Sequence, residues 1–73
     1  MEPSEIFDLI IKADDALKYA TEQKIPARAR QAREYLAQAL QEAQAIGNQG
    51  LVEQAERRLA DLDALQAGES GSA

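Results

Sequence analysis

The sequence predicts an all-α domain, an antiparallel up-down-up three-helix bundle. Apolar residues recur at spacings of three and four along three segments, the period of an amphipathic helix. Pro26 and the Gly47-Asn48 pair separate those segments at residue types that begin and end helices. No strand candidate exists, because the one dense β-branched pair, Ile10-Ile11, falls inside a helical period.

The first helix is expected over about residues 4–24, with Ser4 as N-cap and Pro3 just outside. Its apolar stripe is Ile6, Ile10, Ala13, Leu17 and Ala20, widened on one side by Leu9 and Ala16. Pro26 disfavours helical geometry at Ile25, which sets the end near Lys24. The second helix is expected over 26–46, with Pro26 in the first helical position and Gly47-Asn48 as the stop. Ala29, Ala32, Leu36, Ala39, Leu40 and Ala43 form its apolar face, with Tyr35 and Ile46 at the edge. Arg30, Glu34, Gln38 and Gln41 lie opposite. Its alanines raise helix propensity and let a neighbouring helix approach closely. The third helix is expected over 51–66, with Leu51, Val52, Ala55, Leu59, Leu62 and Leu65 as its stripe. Residues 67–73 carry no large apolar side chain and are expected to form a disordered tail. The domain is therefore residues 1–66, and its short connections favour antiparallel neighbours.

Composition restricts the chemistry. Seventy-three residues make one domain, near the size below which disulfides or metals are needed to hold a core. There is no cysteine and no histidine, so thiolate and imidazole chemistry are absent and any metal would need carboxylates alone. The formal net charge of −5 is uneven. Residues 2–24 carry six acids and three lysines (−3), 25–47 three arginines and two glutamates (+1), and 48–73 five acids and two arginines (−3). Nucleic acid and anionic membranes both require many cationic contacts, which this balance does not supply. No apolar run approaches the roughly 18 residues of a membrane span, and Met1-Glu2-Pro3-Ser4 has no basic n-region of a signal peptide. The expected location is cytoplasmic.

No phosphate-binding glycine loop, zincin motif, calcium loop or nucleotide fingerprint is present. Asp14-Asp15 cannot act as a carboxylate pair, because adjacent helix residues point about 100° apart. No enzyme activity, cofactor, metal or small-molecule substrate is expected. The remaining candidates are surfaces. Phe7 and Ile11 stand four apart, rotated about 100° from the main stripe. They either widen the core face under Ile25 or the third helix, or form an exposed patch for another protein or a second copy of the chain. Lys24, Arg28, Arg30 and Arg33 cluster at the start of the second helix, where the helix dipole favours negative charge instead. Either Glu22 and the acidic ends of neighbouring helices compensate them, or they dock a partner's carboxylates or phosphate.

Tyr35, Ala39-Leu40, Ala43, Ile46-Gly47-Asn48, Ala55 and Leu59 give residues 31–65 a pattern that resembles tetratricopeptide-type helical hairpins. The resemblance implies a hairpin with an extra N-terminal helix, in a scaffold that binds other proteins. The expected function is therefore a non-catalytic protein–protein interaction module. The alternative is a small assembly subunit, a homodimer, that self-associates through its first helix.

Overall fold

In the computed structural model the chain forms three helices, α1 (Pro3–Lys18), α2 (Ile25–Ala45) and α3 (Gln49–Gly71). The structure describes residues 1–18 and 25–71, with side chains at 1–18 and 26–64, and contains no strand among them. The all-α three-helix prediction holds.

α1 begins one residue before the expected Ser4. Pro3 takes the first helical position, where its missing N–H is no loss. Glu2 becomes the cap, its carbonyl accepting from the N–H groups of Glu5 (3.0 Å) and Ile6 (3.1 Å). The Glu5 carboxylate in turn accepts from the Glu2 N–H at 3.3 Å. This is the backward half of a capping box, which needs its acid three residues after the cap. Glu5, not Ser4, therefore supplies the capping side chain. The expected continuation of α1 to Lys24, with Tyr19, Ala20 and Glu22, lies outside the described residues.

α2 starts at Ile25 and ends at Ala45, one residue early at each end. Its stop is a Schellman motif. Gly47 has φ +70°. The Asn48 N–H donates to the Ala43 carbonyl (2.9 Å) and the Gly47 N–H to that of Gln44 (3.1 Å), satisfying carbonyls that the helix end would leave unpaired. Asn48 then caps α3. Its Oδ1 accepts from the Leu51 N–H at 3.2 Å, and its carbonyl from Val52 at 3.0 Å. One residue ends one helix and begins the next, so α3 starts at Gln49 rather than Leu51. Asn48→Ala is expected to cost about 0.5–2 kcal/mol. At about 4–8 °C per kcal/mol for a domain of this size, a thermal melt followed by circular dichroism resolves that loss.

α3 continues to Gly71, five residues beyond the expected Gln66. Residues 67–71 of the expected tail thus fall within α3, and residues 72 and 73 lie outside the described residues. Propagating an existing helix adds one hydrogen bond per residue without a new nucleus, and no proline interrupts it.

The core is built around α2, which packs extensively on both α1 and α3, whereas α1 and α3 touch only marginally. Ile6, Leu9, Ile10, Ala13 and Ala16 of α1 are buried, as are Leu51, Val52, Ala55 and Leu62 of α3. Between them, among the described residues, α2 buries Ala29, Ala32, Ala39 and Ala43 with a single large residue, Leu36. The small residues let both neighbours approach closely while their larger side chains fill the interface. Leu9 and Ala16 are buried as part of the widened apolar face, while Leu17, Leu40 and Leu59 are half-buried against the core. The side chain of Leu65 lies outside the described set.

The directions of the helices are fixed by specific pairs. The N-terminal ammonium of Met1 lies 3.7 Å from Glu42 Oε2, which places the start of α1 beside the end of α2. Lys12, Asp15 and Ala16 line one cleft with Arg28, Gln31 and Tyr35, which places the later part of α1 beside the start of α2. These two helices are antiparallel.

Candidate functional site

α1 has more apolar surface than its neighbours cover. Phe7 remains 43% exposed and Ile11 39%. Ile6 and Ile10, each one residue earlier, are fully buried. The rotation of about 100° per residue separates the two sets. Of the two sequence readings for Phe7 and Ile11, the exposed position is the one observed.

Phe7, Ile11 and Asp14 follow at spacings of four and three and so share one row along α1. Asp14 turns this row toward α3, where Arg58 Nε donates to both of its carboxylate oxygens at 3.2 Å. Both partners keep substantial solvent exposure, so the pair contributes at most about 1 kcal/mol. Its use is positional: it joins α1 to α3 where their direct packing is slight. Beside it Asp14, Leu17, Leu36, Arg58, Asp61 and Leu62 line a cleft of about 240 Å³ where all three helices meet. On the other flank of the Phe7–Ile11 row stand Asp8 and Asp15, both exposed. Asp8 is three residues before Ile11 and Asp15 four after it, which makes each a surface neighbour. The site is a short apolar strip with carboxylates on both sides, one of them held by an arginine.

The basic cluster is not one surface. Arg28 lies on the α1 side of α2, in the cleft with Lys12 and Asp15, and its Nη1 donates to Gln31 Oε1 at 3.3 Å. Arg33 lies on the α3 side, paired with Asp63. Arg30 is exposed between them. Steps of two and three residues rotate these side chains by about 200° and 300°, so closeness in sequence becomes divergence in space. Compensation of Arg33 comes from an acid of α3, one of the two sequence readings. Lys24, the fourth member, lies outside the described residues, as does Glu22.

Sequence reasoning missed the Arg58–Asp14 pair, the identity of Asp63 as the acid that meets Arg33, and the double role of Asn48. The ion-pair partners are 44 and 30 residues apart, and no local signal links them. The Asn48 role was legible: an Asn three residues before Leu51 satisfies the N-cap rule. Ile46, expected at the edge of the α2 apolar face, is 41% exposed because the chain leaves the helix there. Tyr35 does edge the core, its hydroxyl accepting from Gln31 Nε2 at 3.4 Å.

Among the described residues no group of three or more His, Cys, Asp or Glu is placed to hold a metal ion. Among them, too, no helix is long and apolar enough to cross a membrane. Comparison with protein-family models, with curated proteins and with solved structures finds no match.

Proposed function

We propose that this protein is a non-catalytic interaction module that binds another protein through the outer row of α1. The observation that carries the reading is the exposure of Phe7 and Ile11 on one strip of a helix whose other large apolar residues are buried or half-buried. Covering such a strip removes apolar area from water at roughly 25 cal/mol per Å², and a partner helix is the natural cover. A tetratricopeptide-like character of the hairpin over residues 31–65 is part of this reading. In this reading the protein works in the cytoplasm, without cofactor, nucleic acid or small-molecule substrate.

The same strip also fits the second reading, a self-associating assembly subunit. Sedimentation at two concentrations separates the two, since only self-association makes the mass depend on concentration.

The test is a selection from a displayed library of helical peptides. Phe7→Ser combined with Ile11→Ser is expected to weaken the isolated binders about tenfold or more, the effect of losing an aromatic anchor. Because both residues are exposed, the variant keeps the wild-type melting curve to within a few degrees. Binders indifferent to both substitutions contradict the reading.

A further inference from the structure

We infer that the occupant of the α1 strip is a basic amphipathic helix, one that places two apolar residues a turn apart on Phe7 and Ile11 and lysines or arginines on the flanking carboxylates. The inference rests on the interaction-module reading and adds the charge class of the partner.

Charge selects this occupant. From Glu2 to the end of α1 the chain exposes five carboxylates, Glu2, Glu5, Asp8, Asp14 and Asp15, against two lysines, Lys12 and Lys18. The N-terminal ammonium does not offset them, because it is paired with Glu42 of α2. Asp14 is paired with Arg58 and Asp15 shares a cleft with Lys12 and Arg28, while Asp8 and Asp15 both border Ile11 directly. A helix lying on Phe7 and Ile11 therefore brings its own flanks against Asp8 and Asp15. Cationic flanks gain charge-assisted contacts there and are steered in from solution, whereas acidic flanks are repelled. The same reasoning disfavours a second copy. Pairing two α1 helices across this strip sets the acidic rim of one against the acidic rim of the other, between chains that each carry −5. The span also fits: Phe7 to Ile11 is one helical turn, about 6 Å of axis, matched by apolar residues at i and i+4 of the partner.

The experiment uses the full chain and three synthetic peptides of about 18 residues, long enough for about five turns. All share one leucine stripe; their polar faces are lysine, glutamine or glutamate. Affinity is read by fluorescence anisotropy at low and moderate salt. The lysine peptide is expected to bind at least about tenfold more tightly than the glutamate peptide, in line with like-charge rejection at a specific interface. Asp8→Asn with Asp15→Asn is expected to weaken the lysine peptide by roughly two- to tenfold, the scale of exposed ion pairs. Added salt weakens it likewise. Phe7→Ser with Ile11→Ser weakens it at least about tenfold.

Equal binding of all three peptides, still lost with Phe7→Ser, overturns the charge assignment and leaves the interaction surface standing. Salt-sensitive binding indifferent to Phe7 and Ile11 reports only the overall negative charge, and it overturns both. A mass in sedimentation that doubles with concentration, and returns to monomer in Phe7→Ser, overturns the basic helix in favour of a second copy.

Discussion

Leu36→Ala is expected to remove half or more of the protein's stability. Among the described residues Leu36 is the only large side chain that α2 buries fully, and it also lines the cleft where α2 meets both α1 and α3. Truncation deletes its transfer energy and leaves a cavity that alanine neighbours cannot refill, a combination worth about 2–5 kcal/mol. At roughly 0.05–0.15 kcal/mol per residue a domain of this length has only about 4–11 kcal/mol in total. Urea unfolding followed by circular dichroism is expected to show a midpoint at about half the wild-type concentration or lower, with the slope unchanged. Ile46→Ala, at an exposed position just past the end of the same helix, serves as the comparison and is expected to change stability by no more than about 0.5 kcal/mol. Equal effects of the two substitutions contradict the placement of the core.

Ala39→Leu tests the other half of the packing argument. Ala39 is fully buried on α2, among alanines that let the flanking helices approach. Three added carbons there have no space to occupy without moving a helix or forcing strained rotamers, at a cost of about 1–3 kcal/mol or more. Ala37, two residues earlier, is exposed. Ala37→Leu adds the same atoms and is expected to stay within about 0.5 kcal/mol of wild type. The same melts measure both. A neutral Ala39→Leu denies that the alanines set the helix spacing.

The fold was legible because its signals are local. The three- and four-residue recurrence of Ile6, Ile10 and Ala13, or of Ala29, Ala32 and Leu36, is written into adjacent turns of chain. So is the glycine that a positive φ requires at position 47. Helix ends were legible to within one or two residues where a cap marks them. At the α3 end, where glycines weaken a helix without forbidding it, the estimate fell five residues short. The site was half legible. Rotation about a helix axis identified Phe7 and Ile11 as lying off the core stripe, but periodicity alone does not say whether a neighbour covers them. That depends on where α3 sits, and the slight contact between α1 and α3 is a property of the assembled fold. The arginine cluster misled for a related reason. Arg28, Arg30 and Arg33 are neighbours in sequence, yet the helix sends them to three sides of α2. The pairs that α3 forms, Arg33 with Asp63 and Arg58 with Asp14, depend on tertiary register.

The most direct test of the central claim is an amide chemical-shift titration of the labelled protein with the lysine-faced amphipathic peptide. Perturbed residues are expected to gather on α1, around Phe7, Asp8, Ile11 and Asp15, with the outer face of α2 at Arg30, Glu34 and Gln38 unmoved. Perturbation centred on that α2 face, with α1 silent, would contradict it.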